Sequence, residues 1–141
     1  MGRFEFIDHT ADIAIKAYGR SLEEAFAVAA EAMFAIITDG STTVEPEEEI
    51  SLSVESLDRE GLLVGFLSQL IVLHEADGWV FGRFQVSLED ERHLTAVVRG
   101  EKYVPEKHGR GTQVKGVSYH MMEIVDGTPA KPGYVQVLFD I

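Results

Sequence analysis

Tyr134-Val-Gln-Val-Leu-Phe-Asp-Ile141 is mostly apolar and β-prone, whereas chain termini are ordinarily frayed and polar. The pattern predicts a last strand held inside a sheet. It ends on two adjacent carboxylates, the side chain of Asp140 and the α-carboxylate of Ile141. Neighbouring anions on an ordered strand repel each other and favour a cation, and hard divalent ions prefer carboxylate oxygen. The plainer reading is an Asp140 that caps a strand edge in solvent, the usual place for a charged residue.

Upstream, Phe4-Glu-Phe-Ile-Asp8 and Asp12-Ile-Ala-Ile-Lys-Ala-Tyr18 alternate at period two and predict two short strands. Ser21-Leu-Glu-Glu24 has the capping-box pattern. Behind it, Leu22, Phe26, Ala29, Met33 and Ile36 form one apolar stripe of a helix of about 18 residues that ends near Asp39-Gly40. Glu45-Pro-Glu-Glu-Glu49 reads as a solvated acidic loop, and Ile50–Val54 as a strand. Asp58 is placed to cap a second helix whose broad face (Leu62, Leu63, Phe66, Leu67, Leu70, Ile71) implies deep burial, closed by Ala76-Asp-Gly78. Strands follow over Trp79–Leu88, His93–Gly100 and Val114–Val125, and then the terminal one. Two helices among about seven strands, joined by hairpins, predict an α+β sandwich, with the helices packed on an antiparallel or mixed β-sheet. Residues 1–141 are expected to form one domain.

The charge balance narrows the function. Twelve Lys and Arg against 24 Asp and Glu give a net charge of −12. A chain that grips nucleic acid needs cations to neutralise phosphate, so stable direct binding of RNA or DNA is not expected. Cations or a basic protein surface suit it better. The absence of cysteine excludes disulfides, a thiol nucleophile and a thiolate zinc site. The opening Met1-Gly-Arg-Phe-Glu-Phe6 is too polar for a signal peptide and no apolar run matches a membrane span, so a cytoplasmic protein without a membrane partner is expected.

Three constellations bear on chemistry. Asp8-His-Thr-Ala-Asp12 collects two carboxylates, an imidazole and a hydroxyl. In an extended chain Asp8, Thr10 and Asp12 share a face and His9 opposes them; a capping turn between strands explains the set equally well. Lys107-His-Gly-Arg-Gly-Thr-Gln-Val-Lys115 resembles a phosphate cradle only superficially, because its spacing is not that of a P-loop and no helix follows. It reads as a mobile basic loop. In Tyr119-His-Met-Met-Glu123 the methionines suit a core, and His120 reads as a satisfied buried histidine rather than a metal ligand. No nucleophile–base pair is evident.

These same segments resemble the archease family. His9-Thr-Ala-Asp-Ile13, Ser21-Leu-Glu-Glu-Ala-Phe26 and Ala30-Glu-Ala-Met-Phe34 look like its opening. Lys107-His, Gly111-Thr-Gln-Val-Lys115 and Tyr119-His-Met-Met-Glu-Ile124 resemble its later block, and Val137-Leu-Phe-Asp-Ile141 its terminus. The resemblance implies an α+β protein, not itself an enzyme, that assists the RtcB-type RNA ligase of tRNA splicing. It would promote the ligase's guanylylation and multiple turnover, and could broaden its use of nucleotides. By position it implies a metal site at Asp12, Asp140 and Ile141, with Lys107, or the nearby Lys115, as the functional lysine and His9 beside it as a partner or nucleotide contact. Calcium suits such oxygen donors, and magnesium or manganese can occupy them. Two competing readings are a free-standing metal-dependent phosphoester hydrolase using Asp12, Asp140 and His9 or His120, and a general chaperone or scaffold with an acidic binding face.

Overall fold

The computed structural model describes residues 3–7, 12–40 and 43–141. Their elements run β1 (Arg3–Ile7), β2 (Ile13–Gly19), α1 (Leu22–Ile37), β3 (Glu48–Glu55), α2 (Arg59–Asp77), β4 (Trp79–Asp90), β5 (His93–Lys102), α3 (Pro105–His108), β6 (Gly116–Val125) and β7 (Gly133–Asp140). The strands form a four-stranded sheet in the order β1-β2-β7-β6 and a three-stranded sheet in the order β3-β5-β4. Every described pairing is antiparallel. The α+β class is as expected. The last strand is interior to its sheet, between β2 and β6, and is buried along most of its length: Val135, Gln136, Val137, Leu138 and Phe139 are all buried.

Both long helices begin where the caps predict. The Ser21 hydroxyl accepts the Glu24 amide at 3.1 Å, and the Glu24 carboxylate reaches back to the Arg20 amide at 2.7 Å. Asp58 accepts the Gly61 amide at 2.7 Å, and Gly78, left-handed at φ 75°, ends α2.

The single apolar stripe expected on α1 is too narrow. The predicted positions are buried, but so are Ala25, Ala27, Val28, Ala30, Ala32, Phe34 and Ile37. The reason is placement: α1 contacts β2 and β7 of one sheet and β4 of the other, so it is covered on both sides. Alanine lets the sheets approach such a helix closely. The expected face of α2 is buried as read, while Val72 lies exposed on its far side.

Three readings need correction. Glu48 and Glu49 belong to β3 rather than to an acidic loop, paired with Gly100 and Arg99 of β5. His120 is exposed, and the fully buried histidine is His108. The Lys107–Lys115 segment is not a loose loop. It begins in the turn α3 and is then laced to the end of α1, with the amides of Gly111 and Thr112 bonded to the carbonyls of Ile37 and Ile36 at 3.2 and 2.8 Å. These carbonyls have no partner within the helix, so the strap completes its C-terminus. Gly111 makes this possible, because a Cβ there would collide with the carbonyl oxygens of Thr38 and Ile36.

Candidate functional site

Strands β2 and β7 pair from Gly19↔Gly133 to Ile13↔Phe139. Asp12, a bend residue just before β2, and Asp140, the last residue of β7, adjoin that final pair. Phe139 packs in the core, so Asp140, the next residue of β7, points away from it. Asp12 is half-buried and Asp140 exposed.

On the other side of β7, Gly116 pairs with Asp140, and the Lys115 amide donates to the Asp140 carbonyl at 2.7 Å. A Cβ at Gly116 would stand 3.5 Å from Asp140 Oδ2, so a longer side chain there would cover the carboxylate. Among the described residues, no Lys, Arg or His forms an ion pair with Asp12 or Asp140. Three His, Cys, Asp or Glu side chains do not converge as a metal-binding group there or elsewhere among them. The candidate donor set is therefore two carboxylates, Asp140 at the end of β7 and Asp12 just before β2, with Ile141 next in sequence. This is oxygen chemistry, which suits a hard cation.

Lys107 lies in a different cluster. Its ammonium bonds Glu101 of β5 at 2.8 Å, and the His108 Nε2–H donates to the same carboxylate at 2.9 Å. The Val104 amide donates to His108 Nδ1 at 2.9 Å, which assigns the ring proton to Nε2. The Tyr103 ring stacks on the imidazole, and its hydroxyl donates to the Gly109 carbonyl at 2.6 Å. The Glu45 amide adds another donor to Glu101 at 2.9 Å. Burial alone would raise the Glu101 carboxyl, but bonds from Lys107, the Glu45 amide and His108 outweigh it and hold the group at about 2. The Lys107 ammonium is raised in turn by its bond to Glu101.

The structure thus places Asp12 and Asp140 at the same end of the β2–β7 pair and holds Lys107 on the strap. Asp8, His9 and Thr10 lie outside the described residues. Glu101 was missed because a lone glutamate near the end of an alternating strand carries no signal of its own; its partner His108, six residues after Lys102, sat inside a segment read as surface loop.

Comparison with known proteins places the chain. The Archease protein family (MTH1598/TM1083) matches residues 4–141. Protein archease of Sulfolobus acidocaldarius is 47% identical over 131 residues, covering 91% of this chain and 94% of its own. Protein archease of Methanothermobacter thermautotrophicus is 43% identical over 129 residues, covering 89% and 91%. The solution structure of Methanobacterium thermoautotrophicum protein 1598 superposes with a TM-score of 0.74 at 37% identity, covering 98% of both chains. The chain belongs to the archease family.

Proposed function

We propose that this archease is a non-catalytic activator of an RtcB-type RNA ligase, promoting the ligase's guanylylation and its repeated turnover. The supporting observation is the juxtaposition of Asp12 and Asp140 at one sheet end with no cation of the described chain to balance them. Carboxylates so arranged are free to act on something outside the fold. The net charge of −12 favours approach to the positively charged RNA channel of a ligase. It also keeps the activator from competing for the RNA itself.

Asp12, Asp140 and the α-carboxylate of Ile141 would hold a divalent cation, calcium foremost, with magnesium or manganese as substitutes. When bound, the ion supplies a fixed positive charge at the docking end. The chain's own residues do the rest: β2 and β7 fix the spacing of the two carboxylates, and Gly116 keeps their approach open. Glu101 and His108 hold Lys107 at one place on the strap, with its side chain 41% exposed, where it can meet a nucleotide phosphate or a ligase carboxylate.

The test is multiple-turnover RNA ligation by a cognate ligase with substoichiometric archease. Asp12→Ala and Asp140→Ala are expected to lose stimulation while keeping the wild-type melting temperature. Extension of the chain by one residue after Ile141 is expected to weaken it too. Full stimulation by the extended chain would remove the α-carboxylate from the site.

A further inference from the structure

Strand β6 is an edge strand, and its register with β7 breaks between Ser118↔Leu138 and Glu123↔Gln136. Tyr119, His120, Met121 and Met122 therefore stand against Val137 alone. Within this bulge Met121 has φ 61°, and it is the one non-glycine residue with positive φ among those described. Methionine is disfavoured there because its Cβ crowds the backbone. The conformation is nonetheless held on both flanks. Gln136, a buried amide, donates to the Met121 carbonyl at 2.8 Å, and the His120 amide donates to Ser118 Oγ at 3.0 Å.

The bulge sorts its side chains. Met122 packs against the core, whereas Tyr119 and Met121 are 61% and 40% exposed. Bulges recur where a strand re-aims a side chain, and backbone strain held by specific bonds marks functional positions. Tyr and Met are also the types enriched in protein interfaces, as large anchors and adaptable filler.

The surroundings indicate what the bulge meets. Gly116–Met122 contains no Asp or Glu in a chain that carries 24. An acid stands at each end, Asp140 paired with Gly116 and Glu123 after Met122, with Lys115 the one basic residue directly flanking the segment in sequence. An uncharged knob within an acidic frame complements an apolar recess rimmed by Lys and Arg. A nucleic-acid backbone would face the frame's negative charge instead.

We propose that Tyr119 and Met121 form an apolar anchor that docks the Asp12–Asp140 end into a recess on a basic protein surface, that of the ligase. This rests on the function proposed above and adds to it the residues that supply affinity, as distinct from those that act on the ligase.

The experiment is binding of fluorescently labelled archease to the purified cognate ligase, read by anisotropy, beside the melting temperature of each variant. Tyr119→Ala removes an exposed ring. Met121→Gly removes the side chain while placing at φ 61° the residue that tolerates it, so its fold is retained. The expected result is at least about a tenfold rise in Kd for each, with neither melting temperature lowered. Unchanged Kd values beside tight wild-type binding would overturn the anchor and leave the proposed function standing. Failure of the unmodified chain to bind the ligase would overturn both, a result read before any variant is used. Binding to a single-stranded RNA oligomer that Tyr119→Ala abolishes would replace the protein partner with base stacking. A wild-type dimer in sedimentation that Tyr119→Ala dissolves would replace it with a second copy.

Discussion

Glu101 and Asp140 are both carboxylates at the end of a β-strand, and the fold treats them in opposite ways. Glu101 is 8% exposed and accepts bonds from Lys107, His108 and the Glu45 amide. Asp140 is exposed, lies at the same end of the β2–β7 pair as Asp12, and has no ion-pair partner among the described residues. In the first region the chain supplies its own positive charge, and the product is structure: a strap fixed to the end of α1. In the second the described residues supply no ion-pair partner for the negative charge. A carboxylate neutralised from within is already satisfied, whereas a pair left open attracts a cation or a basic partner.

The contrast breaks most severely at the strap. Gly111→Val would drive a side chain into the Thr38 and Ile36 carbonyls, a clash costing about 3 kcal/mol. Thermal denaturation should show it as a loss of several degrees. Glu101→Ala comes next. It leaves the buried His108 Nε2–H without its acceptor and should cost about 2 kcal/mol. Asp140→Asn is the matched control at the open end. It relieves repulsion on an exposed carboxylate and should stay within about 0.5 kcal/mol of wild type. If Asp140→Asn destabilises as much as Glu101→Ala, the two regions are not different in kind.

Acid sharpens the same contrast. The Glu101 carboxyl is held at about 2, below its ordinary value of 4.5, so the unfolded chain binds the proton first. Its stabilising contribution is present above pH 4.5 and is lost as the pH falls from 4.5 through 2. Glu47, raised by its bond to Glu101, works in the opposite sense and above 4.5, where the folded chain takes up its proton before the unfolded chain does. Melting temperatures from pH 6 to pH 2 should therefore fall more steeply for wild type than for Glu101→Gln.

A smaller effect belongs to the open end. Calcium at ten times its dissociation constant should stabilise wild type by about 1.4 kcal/mol, and Asp140→Asn should lose that response in a thermal-shift titration. The smallest effect concerns His93, which bridges Asp90 and Glu55 at 2.9 and 3.1 Å on the surface. Its bond to Asp90, then that to Glu55, raises its pKa. Its contribution is thus full below about pH 6.5 and lost as the pH rises through the raised value. His93→Gln should differ from wild type only on the acid side.

Much of the fold was legible because its signals are local. Ser21 and Asp58 announce helix starts through side-chain geometry, and alternation marks the strands. The run Val135–Phe139, apolar but for Gln136, reflects a strand with neighbours on both sides. What was not legible depends on contacts distant in sequence. No periodicity reveals that α1 is covered by two sheets, and alanines at 25, 27, 30 and 32 read as helix propensity rather than as close packing. The strap looked mobile because glycine and lysine are loop residues, whereas Gly111 is required by the approach to Thr38. Asp140 stood out because an apolar last strand ending in acid is unusual. Its place at the same sheet end as Asp12 depended on which strand lay beside β7, and Glu101 gave no signal without His108 folded over it.

The most direct measurement is auto-guanylylation of a cognate RtcB-type ligase with labelled GTP, with substoichiometric archease or its Asp140→Ala form. Wild type should raise the rate and extent of ligase labelling, and Asp140→Ala, equally folded, should leave both at the level of ligase alone. Equal stimulation by the two proteins would contradict it, because the open carboxylate pair would then have no part in the activity.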